Sequence, residues 1–186
     1  MHSPEYSARE QRRELNHVSM SVFNAIANGN EQRYRELVLL PAGDHYSDAL
    51  TATMFEAVRL HQAVDNMPGA VARRRAVTAP ERIPQLPLPD YRDNARAMLN
   101  AAAGWTFTVS GDRATINELS LSPSSPSLRR TRGRWMLVPT PWDTPRETAT
   151  YRLMVQSERR LAEALGAARA AVADGSAKSV EDVNAI

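Results

Sequence analysis

Five side chains in this sequence are placed as candidates for acid–base work: Asp44, His45, His61, Asp65 and Glu118. Asp44-His45-Tyr46-Ser47-Asp48 is the densest polar cluster. A histidine there titrates near neutrality and a neighbouring carboxylate can orient it, as general acid–base catalysis requires. The bland alternative is a solvated loop in which Ser47 or Asp48 caps a helix, and caps of this kind are common. His61 and Asp65 are four apart, so a helix puts them on one face. That pair reads as a pocket acid and base, or more simply as a hydrogen-bonded histidine at the edge of a core. A metal site would need a third ligand such as His17 or His45, and neither spacing is that of a metal motif. Glu118 points inward if its strand keeps phase from Ile116, where burial would raise its pKa. Leu119 and Leu121 argue for a phase shift that turns it outward.

The remaining candidates bind and do not react. Trp105, Phe107, Trp135 and Trp142 suit the lining of an apolar pocket, although aromatics at strand spacing are more often plain core. Arg73-Arg74-Arg75 and Arg129, Arg130, Arg132 and Arg134 can clamp phosphates or carboxylates. Arg130 shares a strand face with Leu128, which points it to the core side or to a pocket mouth. Charged strand residues also serve simply to protect an edge. The sequence has no glycine-rich phosphate loop, nucleophile elbow or paired-histidine zinc motif. No cofactor or metal is called for.

Hydrophobic periodicity supplies the elements that must position these groups. Leu15, Val18, Val22 and Ile26 mark a first helix after a frayed lead-in at residues 1–10. Asn28-Gly29-Asn30 ends it and caps a second helix bearing Tyr34, Leu37 and Val38. A third helix carries the stripe Leu50, Met54, Val58 and His61. A short helix at 69–77 and a proline-rich connector at 79–90 follow, then a helix at about 91–102. The period next changes from 3.6 to 2. Trp105, Phe107 and Val109 alternate with polar residues up to a Gly111-Asp112 turn, and Ala114 and Ile116 begin the returning strand. A bulge near Asn117 or Glu118 would restore Leu119 and Leu121 to the core face. A second hairpin turns about Arg132-Gly133. Trp135 to Val138 is apolar on both faces and reads as a central, covered strand. A long helix from about Arg146 to Ala173 and a last one at 180–185 close the chain. The fold class is α+β, a four-stranded antiparallel sheet packed against helices.

Three local features resemble the nuclear-transport-factor-two-like superfamily, which includes the SnoaL-like polyketide cyclases and many bacterial proteins of unknown role. They are Phe23-Asn-Ala-Ile-Ala-Asn-Gly-Asn30 leading to Tyr34-Arg-Glu-Leu-Val38; Val109-Ser-Gly-Asp-Arg-Ala-Thr115; and Arg132-Gly-Arg-Trp135 before an apolar strand. The resemblance covers about residues 15–138. It implies a curved sheet around a cone-shaped pocket in residues 1–147, with 148–186 as a helical extension of the same domain. That extension would plug the pocket, extend it, or form a dimer or partner surface.

Composition narrows the classes. There is no cysteine, which removes disulfides, thiolate metal sites and cysteine nucleophiles. The pI is 9.3, and a single lysine, Lys178, stands among arginines. The charge is uneven: six basic against nine acidic residues in 1–72, eleven against five in 73–135, six against seven in 136–186. A middle this mildly basic, without interleaved aromatics, argues against nucleic acid. No apolar run has the length of a membrane span. The polar N-terminus implies a cytoplasmic protein, or an exported one whose signal has been removed. Two functions fit. One is a non-enzymatic domain that binds a small apolar ligand or a partner, as a homodimer. The other is a cofactor-independent lyase, isomerase or cyclase that uses an Asp/His acid–base pair.

Overall fold

The computed structural model describes residues 4–40, 43–67, 90–119, 126–139 and 148–186. The expected helix at 69–77, Arg73 to Arg75, nearly all of the proline connector, Leu121 and Trp142 lie outside them. The described elements are α1 (Pro4–Ala27), α2 (Glu31–Leu37), α3 (His45–Asp65), α4 (Tyr91–Ala102), β1 (Phe107–Ser110), β2 (Arg113–Ile116), β3 (Ser127–Thr131), β4 (Arg134–Val138), α5 (Ala149–Ala173) and α6 (Val180–Asn184). The fold is α+β, with a four-stranded antiparallel meander in the order β1-β2-β3-β4. The chain groups into two compact units, each made of two separated segments. Residues 1–44 and 92–146 form the first; 45–91 and 147–186 form the second.

In the first unit, α1 begins at Pro4, a first-turn position where a missing N–H costs nothing. The helix therefore includes most of the stretch expected to fray. It ends where the sequence indicates. Gly29 takes φ +68°, the Asn30 N–H reaches back to the Ala25 carbonyl at 2.8 Å, and the Asn30 side chain caps α2 by accepting from the Arg33 N–H at 3.0 Å. Both hairpins turn at the predicted residues. Gly111 has φ +58°, and Arg132 and Gly133 have φ 51° and 79°. Positive φ at both turn positions of the second hairpin matches the right-handed twist of its strands.

One face of the sheet is the inner one. Val109, Ala114, Leu128 and Leu137 fall in one row across it. Ala114, Leu128 and Leu137 are buried, whereas Val109, on β1, is 37% exposed. Trp105 is buried and meets Phe23 edge to face, ring centroids 5.7 Å apart. Two sequence expectations need correction. No bulge carries β2 past Ile116; the strand stops there and a single 3-10 turn, Asn117–Leu119, follows. Trp135–Val138 is not a central strand but the end of the ladder. Its apolar residues are accommodated because Val38 bridges Leu137 in parallel and the Leu39 N–H donates to the Leu137 carbonyl at 2.8 Å.

The second unit is built on a parallel helix pair. Tyr46 and Ala49 of α3 cluster with Tyr151 and Val155 of α5; further along, Ala57 and Leu60 cluster with Leu165 and Ala168. Both helices therefore run the same way. The buried positions 46, 49, 53, 57 and 60 follow the 3–4 spacing of a coiled-coil seam. The expected stripe was a different one. Of its four members only Val58 is fully buried, while Leu50, Met54 and His61 are half-buried. Phe55 and Val58 are buried on the side away from the seam, so α3 is covered on two sides. Its start also differs from expectation. The helix opens at His45, and the Tyr46 N–H, one of the orphan donors of a first turn, is satisfied by the Tyr151 hydroxyl at 3.0 Å. Ser47 and Asp48 lie within the first turn. Thr148 caps α5 by accepting from the Tyr151 N–H at 3.1 Å.

Ser19 sits in the middle of α1's apolar face, wholly buried, and its hydroxyl has no hydrogen-bond partner among the described residues. Removing a buried hydroxyl without a partner relieves its desolvation penalty, and alanine is also the better helix former. Ser19→Ala is therefore expected to raise stability by about 1 kcal/mol in urea denaturation. A loss of stability would show that the hydroxyl is bonded.

Candidate functional site

A concavity among the described residues lies at the C-terminal ends of α3 and α5. Each helix is closed there by its own backbone. The Asn66 N–H bonds the Gln62 and Ala63 carbonyls, and the Met67 N–H bonds Val64 at 3.1 Å. At the end of α5, Gly175 adopts φ +78°, and the Ala177 N–H returns to the Ala171 carbonyl at 2.9 Å. This reversal tucks Ala177 into the core beside Val183 of α6. Ser179 then caps α6 in a capping box with Asp182, whose carboxylate also accepts from the Lys178 N–H at 2.8 Å. That bond first, then the Ser179 contacts, hold the Asp182 carboxyl below its usual range.

The result is a half-open groove of about 590 Å³ lined chiefly by apolar side chains, among them Ala63, Met67, Val172 and Ala177, with Asn66 and Lys178 as its polar members. Its field has opposing sources, and on the negative side the Asp182 carboxylate interacts with the Lys178 charge. The C-termini of α3 and α5 bring the negative ends of two helix dipoles together, and neither helix has a basic residue in its last turn. Lys178, the only lysine in the chain, supplies the positive charge on the lining.

None of the five acid–base candidates lines this groove. Asp44 is buried and His45 exposed; one ends a segment of the first unit and the other starts the second. His61 and Asp65 are both half-buried on α3. Glu118, in the first unit, is exposed, and both its oxygens accept from the Thr106 N–H at 3.0 Å while Oε1 also takes the Thr106 hydroxyl at 2.9 Å. The Thr106 N–H contributes most to holding this carboxyl below its usual range. Glu118 thus closes the end of the β1–β2 hairpin after the ladder stops. Among the described residues, no three His, Asp or Glu side chains converge as a metal site, and no helix is long and apolar enough to cross a membrane.

The residues expected to bind a ligand, Trp105, Phe107, Arg130 and Trp135, all belong to the first unit. Trp105 and Trp135 are buried and Phe107 half-buried. Arg130 stands opposite Trp135 on the inner face, but one pair from the turn, and it is exposed. The groove residues were not singled out from the sequence. The signals that could have found them are the Gly175 stop, the Ser179 cap and the lone Lys178.

No family model, curated protein or solved structure matches this chain.

Beside the helix pair, Glu56 of α3 accepts from Arg59 at 2.7 Å and from Arg169 of α5 at 2.9 Å. Burial pushes its carboxyl up, but the hydrogen bonds and charges of Arg169 and Arg59 outweigh this and lower it. A carboxyl lowered in the folded state adds stability above its unfolded value near 4.5, and that stability drains away as pH falls through the folded value. Glu56→Gln is therefore expected to cost about 1 kcal/mol at neutral pH, and the difference from wild type should vanish in acid. Urea denaturation at pH 7 and at pH 3 checks this, and a pH-independent difference would contradict it.

Proposed function

We propose that this chain is a non-enzymatic binding protein whose second unit takes a small, chiefly apolar ligand in the groove at the ends of α3 and α5. The groove's volume and lining carry this reading. Ligand sites commonly enclose about 300–1,000 Å³, are mostly apolar and contain a few polar groups that fix orientation. Each methylene buried there contributes about 0.8 kcal/mol. Asn66 and Lys178 offer hydrogen bonds to one acceptor on the ligand. The helix dipole ends offset the Lys178 charge, so a neutral polar head suits the groove better than a strong anion.

Kinship with the SnoaL-like group is a proposal supported by the antiparallel meander and the two helices that precede it. The functional reading does not depend on it, since the groove belongs to α3, α5 and the residues after them. The acid–base candidates do not line the groove, which favours binding over a cyclase-like reaction at this site.

Titration with decan-1-ol by isothermal calorimetry tests the reading. Saturable one-to-one binding is expected, weakened about tenfold or more by Val172→Asp and by Met67→Asp. No saturable binding, or binding unchanged by both substitutions, would overturn it.

A further inference from the structure

The two ends of the sheet are treated differently. The outer side of β4 is occupied, since Leu39 donates to Leu137 and Val38 bridges it. Among the described residues, β2 is the only strand partner of β1, and none makes a backbone hydrogen bond to its outer side.

The hairpin fixes which backbone groups point outward. The Asn117 N–H donates to the Thr106 carbonyl at 3.1 Å, so Thr106 and Asn117 form a hydrogen-bonded pair. Such pairs alternate along an antiparallel ladder. Thr108–Thr115 and Ser110–Arg113 are then hydrogen-bonded too, whereas Phe107 and Val109 turn their N–H and C=O groups away from β2. These outward groups form a template for another strand. The strand itself carries none of the protections by charge, proline or bulge: residues 105–110 contain no charged residue and no proline, and β1 pairs with β2 in unbroken register.

The open edge is self-complementary. We infer that β1 pairs antiparallel with β1 of a second copy of this chain, about a two-fold axis perpendicular to the sheet at Thr108. In that register Phe107 of each copy stands opposite Val109 of the other. Both residues point their backbone groups outward, so each such pair exchanges its N–H···O bonds. Both also lie on the inner face, which gives an aromatic–β-branched pair, and Thr108 meets its own copy on the opposite face. These are favoured cross-strand pairs, and no like charges meet. A shift of one residue would set inner-face against outer-face side chains and misalign the outward groups. The arrangement also covers Val109, the inner-face member left 37% exposed at the sheet's end.

The contact is isologous, so it closes at two copies. A strand of four residues buries less than a standard stable interface, so the dimer is weak and forms as concentration rises.

Sedimentation velocity of the full chain from micromolar to near-millimolar concentration tests this, together with hydrogen exchange of the Phe107 and Val109 amides. Wild type is expected to shift from monomer to dimer, with those two amides gaining protection in step. Val109→Lys puts a charge on the edge, and Val109→Pro removes an outward donor without touching the β1–β2 bonds. Both should weaken the dimer at least about tenfold with an unchanged far-ultraviolet spectrum. If Val109→Pro loses that spectrum, Val109→Lys decides. A monomer at every concentration, or a dimer that Val109→Lys leaves intact, would overturn the inference. So would a dimer abolished by Leu153→Glu on the exposed face of α5.

Discussion

The second unit depends on one constraint: α3 and α5 are parallel. Parallel helices cannot be joined by a short turn, and here the returning connection contains the α4 helix and the whole meander. The pairing is consequently long-range throughout. Tyr46 is tied to Tyr151, and the Thr53 hydroxyl to the Glu158 carbonyl at 2.9 Å, each across 105 residues. Glu56 and Arg169 are joined across 113. The alanines and leucines of the seam supply the burial, and these polar ties fix its register. Loop closure of this size must be paid for before any contact rewards it.

The same constraint makes the groove. Because the helices run together, they also end together, and two C-termini with their closing turns leave an apolar hollow between Met67 and Ala177. Antiparallel helices would have put only one C-terminus at each end. The single lysine beside those termini answers two dipoles that no other basic residue in either last turn answers. Architecture, electrostatics and the proposed ligand class thus follow from one packing choice.

Local order was legible in the sequence where the cause was local. The Gly29 stop, the Asn30 cap, both hairpin turns and the Gly175 stop each rest on residues within a few positions, and each lies where its chemistry demands. The misses share a different cause. The third helix's buried face departs from its sequence stripe because its seam is defined by a partner far along the chain, and a donor of its first turn is satisfied by Tyr151, not by a neighbour. Trp135–Val138 looked central because it is apolar on both faces, yet its cover comes from residues 38 and 39. A bulge would return Leu119 to the core face, but the strand simply ends at Ile116. The candidate site was the least legible part. Alanines, a valine and a methionine near helix ends carry no motif, while the candidate histidines and carboxylates are spread over α3, the residue before it and the end of the first hairpin.

The central claim is that α3 and α5 stand or fall together. Hydrogen exchange measured residue by residue in wild type and in Leu165→Ala, which leaves a cavity in the seam, tests it directly. Amide protection in residues 45–65 and 149–173 should fall by a common factor in the variant. Loss confined to α5, with α3 protected as before, would contradict the account.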